Sequence, residues 1–255
     1  MPEISAVPAF RDNYIWLIGN NDNRVAIVDP GDAVPVLEAV AERQLEPAAI
    51  LTTHHHADHV GGVNQLLEHY HIPVYGPARE SIPGRTDALK EGDTITLDSL
   101  GVSFDILDVP GHTAGHIAYY GEGCLFIGDT LFMSGCGRLF EGTAAQMHDS
   151  LEKVASLPDE TQIYCAHEYT LANLRFAHAV EPENKAIEER TRASQALREQ
   201  NRPTVPGSLA QEKATNPFLR VREHAVVQAA EARAGHALKD DVEVFATLRA
   251  WKDSF

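Results

Sequence analysis

Cysteine is scarce in this chain: Cys124, Cys136 and Cys165 are the only three among 255 residues, and no two share a C-x-x-C spacing. An odd, scattered set of thiols suits a reducing compartment better than a disulfide framework, with each thiol expected to pack as a small apolar side chain. Positive charge is short too. Lys and Arg number 21 against 37 Asp and Glu, a formal net charge of −16, which argues against surfaces for nucleic acid or anionic lipid. Any anionic ligand must therefore meet a local basic patch. Long apolar runs are missing as well: none approaches the ~20 residues of a membrane span, and no charged-then-apolar leader opens the sequence. The expectation is a cytoplasmic protein without membrane or nucleic-acid partners. What remains is an ordinary globular composition, 44% hydrophobic and 23% charged, long enough for one large core or a main domain with a smaller companion.

Histidine, by contrast, is concentrated. Thr52-Thr53-His54-His55-His56-Ala57-Asp58-His59 sets four histidines and a carboxylate between an apolar run, 48–51, and the pair Gly61-Gly62. The run reads as a short buried strand and Gly61 opens a helical pattern to about Tyr70, so the cluster falls at a strand's C-terminal end, where α/β proteins build sites. With strand alternation persisting to His56, His54 and His56 point to one side and His55 to the other, and the turn into the helix swings Asp58 and His59 back. A terminal tag or surface tract would not be bracketed in this way. Imidazoles crowded together without metal would also repel one another once protonated.

Along the rest of the chain, 4–7, 14–18 and 25–29 read as strands of a meander or hairpins, and 35–43 as a helix. Asp29, closing the third run at Asp29-Pro30-Gly31, reads as a group standing behind a metal ligand in preference to a simple turn residue. Further on come a strand at 73–75, a polar loop over 76–90, and strands at 94–97 and 102–109. The last ends at Pro110-Gly111-His112, a glycine-flanked turn that aims His112, whereas His116 reads as an orienting or buried histidine. The strand 124–130 delivers Asp129, a carboxylate that would be costly there unless paired or metal-bound. A helix over 143–157, capped by Thr143, leads to a strand over 162–169 that carries His167. Five imidazoles and two carboxylates at strand ends exceed the ~4 positions of a single zinc site, so a two-metal site follows, its ions ~3.5–4 Å apart. From about Leu171 the pattern turns helical, over 184–199, 218–234 and 240–252, with no further strand. The reading is an α/β body over 1–170 and a small helical domain over 171–255.

The segments Thr53 to His59, Gly111-His112-Thr113, Gly128-Asp129-Thr130 and Ala166-His167-Glu168-Tyr169 resemble the metallo-β-lactamase superfamily. Within it, Gly135-Cys136-Gly137-Arg138, His167-Glu168-Tyr169-Thr170, Asn216-Pro217-Phe218-Leu219-Arg220-Val221-Arg222 and Lys252-Asp253-Ser254-Phe255 resemble the glyoxalase II (hydroxyacylglutathione hydrolase) family over nearly the whole chain. The resemblance implies an αββα sandwich followed by a helical substrate-binding domain. It implies one metal on His54, His56 and His112, a second on Asp58, His59 and His167, and Asp129 bridging, with zinc foremost and iron or manganese as alternatives. The implied reaction is hydrolysis of S-(2-hydroxyacyl)glutathione, chiefly S-D-lactoylglutathione, to glutathione and D-lactate, the second step of methylglyoxal detoxification, by a monomer. A metal-bridging hydroxide oriented by Asp58 and Asp129 would attack, and Arg138, Tyr169, Arg249 and Lys252 would hold glutathione. Two departures stand out: Arg138 where relatives often have Lys, which keeps the charge, and Phe140 where some have Tyr, which loses a hydroxyl.

Three rivals share these residues: a lactonase or β-lactamase on the same scaffold, a mononuclear iron dioxygenase of glutathione persulfide, and a non-enzymatic metal-binding module. Asp58-His59 together with His167 favour two metals over the dioxygenase. Arg249 and Lys252 favour glutathione over a lactam or lactone. They share one helix face, while Phe245, Leu248 and Trp251 form a separate stripe that can dock on the main body. No protein nucleophile is expected, since Ser134 has no partner histidine at recognisable spacing.

Overall fold

The computed structural model describes residues 2–20 and 22–255. The chain divides into two compact units, a first comprising 1–109 with 114–128 and a second comprising 110–113 with 129–255.

The first unit runs β1 (Glu3–Ala9), β2 (Asn13–Gly19), β3 (Arg24–Val28), α1 (Ala33–Arg43), β4 (Glu46–Leu51), α2 (Ala57–Val60), α3 (Val63–His69), β5 (Val74–Pro77), β6 (Asp87–Leu89), β7 (Thr94–Leu97), β8 (Val102–Asp108), β9 (Ile117–Gly121) and β10 (Cys124–Gly128). Strands β1 to β6 pair in chain order, antiparallel as far as β3 and parallel from there on, while β7 to β10 form an antiparallel meander. Strand β2 is apolar at both parities because both of its faces are covered. Ile15 and Leu17 join Ile27, Ile50 and the helix residues Val36, Val40, Val63 and Leu66 in one core. Trp16, Ile18, Ala26 and Leu51, of opposite parity, are buried as well. Helix α1 begins where the Asp32 carboxylate accepts the Val34 N–H at 2.9 Å. Tyr119 of β9 donates its hydroxyl to Thr52 O at 2.9 Å and Tyr75 O at 3.2 Å, tying the meander to the ends of β4 and β5. Burial, with the Asp29 charge adding to it, pushes the Tyr119 phenol well above its ordinary pKa, so it stays a donor there.

The second unit runs β11 (Leu131–Phe132), β12 (Gly135–Cys136), α4 (Ala144–Ala155), β13 (Gln162–Cys165), α5 (Thr170–Val180), α6 (Lys185–Glu199), β14 (Gly207–Ser208), α7 (Leu209–Thr215), a 3-10 turn (Pro217–Leu219), α8 (His224–Ala234) and α9 (Asp241–Asp253). Thr143 and Gln146 close a capping box at the start of α4. The helices meet through Phe176, Phe218 and Phe245, whose ring centroids lie 5.9 and 5.5 Å apart along that series. Glu212 is fully buried and accepts from Ser134 N at 2.8 Å, from Asn216 Nδ2 at 2.9 Å and from the Arg190 guanidinium, which locks the β11–β12 hairpin to α7 and α6. Removing one partner of such a buried ion pair costs ~3–5 kcal/mol.

Several elements differ from the sequence reading. The polar segment 76–90 contains β6, a three-residue edge strand with two exposed positions, too short and too polar to show a period. Strand signal does not stop at Leu171, since β14 pairs with β13. The helix expected over 218–234 starts at His224, because Pro217 begins a separate 3-10 turn. The strand expected over 162–169 ends at Cys165, so His167 lies on the turn into α5. Among the described residues no helix is long and apolar enough to cross a membrane.

Candidate metal centre

Strand β4 ends at Leu51, and Thr52 to His56 is irregular backbone, so the pleat expected to separate His55 from its neighbours is absent. The rings part for another reason. His55 Nδ1 lies 2.8 Å from the Glu80 carboxylate, while His54 Nε2 and His56 Nδ1 face each other at 3.1 Å. Two nitrogens each ~2.0–2.1 Å from one tetrahedral ion would stand roughly 3.3 Å apart, close to the separation seen.

Behind this pair lies Asp29, at φ +52 and 4% exposed. Its Oδ1 accepts Thr53 N–H at 2.7 Å, and its Oδ2 takes the Thr53 hydroxyl at 2.7 Å and His59 Nδ1 at 3.0 Å. A carboxylate only accepts, so Thr53 spends its one proton on Asp29 and must accept from His54 Nδ1 at 3.0 Å. Both His54 and His59 are thereby fixed as Nδ1–H tautomers whose Nε2 lone pairs point away from Asp29. Ligand-type atoms of Asp29, His54 and His59 all fall within 4.8 Å, yet three accepted hydrogen bonds place Asp29 behind the imidazoles. His59 Nε2 is 3.6 Å from Asp58 Oδ2, too long for a hydrogen bond and suited to two ligands of one ion. His116 is buried, stacks on His54 at 4.5 Å between centroids and gives its Nδ1 to Ile117 O at 3.0 Å. Gly31 packs so tightly on α2 that a Cβ there would come 1.8 Å from Asp58 O.

The second unit carries the other expected ligands. Asp129 meets two imidazoles, one on each oxygen: His167 Nε2 at 3.4 Å from Oδ1 and His112 Nε2 at 3.5 Å from Oδ2. His112 Nδ1 lies 2.8 Å from Arg138 O, and since a carbonyl only accepts, Nδ1 carries the proton and Nε2 the lone pair. The donor chemistry thus fits divalent metal in both units: neutral imidazoles with oriented lone pairs beside carboxylates. Gly137 is the counterpart of Gly31, for a Cβ there would stand 1.9 Å from Asp129 O. Tyr169 stacks on His167 at 4.7 Å, and Phe140, 64% exposed, sets its ring 5.2 Å from that of His112.

A basic cluster completes this unit. Lys252 is pulled below its ordinary pKa first by desolvation and then by the charges of Arg249, Arg175 and Arg138, so four cations gather in an otherwise acidic chain. They are not equivalent. Arg249 is 5% exposed and donates to Cys136 O at 2.8 Å and Asp253 Oδ1 at 2.9 Å, whereas Arg138 is exposed and lies 3.6 Å from Asp253. Phe245 and Leu248 are fully buried, as their stripe on α9 required. Two of the cysteines are held as thiols: burial pushes Cys165 up to about 12 and raises Cys136 against the opposing effect of Arg249. Sequence reasoning gave Thr53 no role and passed over Asn13, whose Nδ2 lies 3.1 Å from Asp58 Oδ2. A polar residue heading the apolar run of β2 was the available signal for the second.

Residues 9–167 match the family described as the metallo-beta-lactamase superfamily, and residues 168–255 match the hydroxyacylglutathione hydrolase C-terminus. A hydroxyacylglutathione hydrolase of Nitrosomonas europaea is 56% identical over 255 residues, covering 100% of this chain and 97% of that protein. Among solved structures, ETHE1 from Myxococcus xanthus is 25% identical with a TM-score of 0.62, over 97% of this chain and 99% of that one. TTHA1623, solved in a di-iron-bound form, is 27% identical with a TM-score of 0.59, over 86% of this chain and 100% of that one.

Proposed function

Because the chain belongs to the hydroxyacylglutathione hydrolase family of the metallo-β-lactamase superfamily, we propose that it hydrolyses S-(2-hydroxyacyl)glutathione, chiefly S-D-lactoylglutathione, to glutathione and D-lactate. The observation that carries the reading lies within the second unit. There a carboxylate faced by two imidazoles, the donor chemistry of a hydrolytic metal, is joined to four clustered cations that suit the two carboxylates of glutathione.

In this reading His54, His56 and His112 hold one divalent ion, Asp58, His59 and His167 a second, and Asp129 serves both. Zinc is foremost, and iron or manganese suits the same donors. The di-iron form of TTHA1623 supports two ions. When bound, the pair supplies a nucleophilic hydroxide at neutral pH and polarises the thioester carbonyl. The chain's own residues do the remainder. Asp58 and Asp129 accept hydrogen bonds from the attacking water and orient it. Asp29, Thr53 and the Arg138 carbonyl keep three imidazoles in the tautomer that offers Nε2. Lys252 and Arg138 pair with the carboxylates of glutathione, with Arg249 beside them and the Tyr169 hydroxyl facing the tripeptide. The departing thiolate is a good leaving group and needs no acid from the protein. Residues 171–255 act as the substrate-binding domain, and the enzyme works as a cytoplasmic monomer in the second step of methylglyoxal detoxification.

Thiol release from S-D-lactoylglutathione, measured beside hydrolysis of a lactam and a lactone, tests the proposal. Activity confined to the thioester, lost on chelation and restored by zinc with two ions per chain, supports it. A higher kcat/KM for lactam or lactone, or oxygen uptake with glutathione persulfide, overturns it.

A further inference from the structure

Asn13 opens β2, a polar residue followed by five apolar and buried ones. It is 7% exposed, and its carboxamide reaches α2, where Nδ2 donates to Asp58 Oδ2 at 3.1 Å and lies 3.5 Å from Asp58 O. A carboxylate only accepts, so the NH2 side of Asn13 must be the one that faces Asp58. The donor is held firmly, because the pairing of Ala9 with Asn13 closes the β1–β2 hairpin directly around it. The Asp58 side chain is 42% exposed and projects from a helix of four residues. The oxygen that Asn13 holds is the one 3.6 Å from His59 Nε2.

We propose that Asn13 is a positioning residue for the second divalent ion: its amide selects the Asp58 rotamer in which Asp58 and His59 share that ion. The inference rests on the two-ion reading above. A hydrogen-bonding partner of a ligating group is typically worth ~10–100-fold in metal affinity. The competing role is purely structural, a staple between the β1–β2 turn and α2 that would affect folding and leave the ion alone.

Zinc titrations against a chromophoric chelator, on the full chain, separate the two roles. Asn13→Leu removes the donor at similar size, and Asn13→Asp, which differs by one atom group, places a carboxylate against Asp58. In both, one zinc site loosens by roughly tenfold or more while the other keeps its affinity; the Tm of the chelator-treated protein is unchanged in Asn13→Leu and falls in Asn13→Asp, where two carboxylates meet. In an Asp58→Ala background the same changes at Asn13 add nothing, because the residue it acts through is gone. Two sites of wild-type affinity in both variants overturn the inference, as does equal weakening by Asn13→Leu with and without Asp58. A wild-type chain that binds one zinc refutes the two-ion reading before any variant is compared, and this inference with it.

Discussion

In the first unit His54, His56, Asp58 and His59 come from a single six-residue stretch, whereas in the second His112, Asp129 and His167 come from three separated segments, one of them reached by the turn 110–113. Chain connectivity alone brings the first set together, but it does not aim the rings. The rings are aimed from outside the stretch, by Asp29 just after β3, while Asn13 at the start of β2 meets the Asp58 carboxylate. The second set has the opposite dependence: the turn, the strand end at Asp129 and the turn into α5 must all fold before the donors meet. Once they have, one carboxylate addresses both imidazoles. Both sets thus take orientation from groups outside themselves, Asp29 for the first and the Arg138 carbonyl for His112, and only the dispersed set also has a central shared carboxylate.

Removing that shared group should do the most damage. Asp129→Ala is expected to lose at least one ion per chain by elemental analysis and to lower kcat/KM by more than about 100-fold, beyond the upper range for partners of ligands. Retention of both ions and activity would break the contrast between the units. Asp29→Ala comes next, with metal affinity in a chelator titration reduced by ~10–100-fold, since three hydrogen bonds that fix two imidazoles vanish together. An effect as large as that of Asp129→Ala would place Asp29 in direct contact with metal.

The basic cluster sharpens the picture within the second unit. A charge-assisted hydrogen bond from Lys252 is worth ~1.5–3 kcal/mol when partly desolvated, so Lys252→Gln should raise KM for S-lactoylglutathione roughly tenfold with kcat little changed. Its pKa lies below the ordinary 10.5, so the cation proposed to bind carboxylate is lost as pH rises through a value below that figure. KM of the wild type should therefore climb with pH in that range, and this component should be missing in Lys252→Gln. Arg249→Ala should behave differently and lower Tm as well, because the buried guanidinium carries the Cys136 carbonyl. The smallest effects belong to His55→Ala and Cys136→Ala. Both should keep metal content at the wild-type level, since His55 is engaged by Glu80 and Cys136 stays protonated.

The seven candidate ligands could be named from the sequence because each sits where an apolar run meets a glycine, a proline or a helix start. Asp29 was legible for the same reason. The geometry of His55 was not, since the strand gave out at Leu51 and the side of the ring was decided by Glu80, a partner 25 residues away. Thr53 escaped notice because its part is to relay one proton's direction between Asp29 and His54, which no spacing reveals. Strands β6 and β14, of three and two residues, are too short for alternation to stand out, and the true start of α8 depended on a turn set by Pro217. The two faces of α9 were readable from spacing, yet spacing could not tell that Arg249 is buried while its neighbour Lys252 is half open.

Gly31 and Gly137 give the catalytic apparatus a wider genetic target than its donors. Neither contributes an atom to binding, yet a methyl group at either would press within 2 Å of a backbone oxygen, 1.8 Å at Asp58 and 1.9 Å at Asp129. Such a change would leave every donor in place in the sequence while displacing the residue that bears it. A homologous chain with all seven donors but a larger residue at either position would be expected to be a silent copy. Any screen of sequences for active members should therefore score these two glycines alongside the histidines and aspartates.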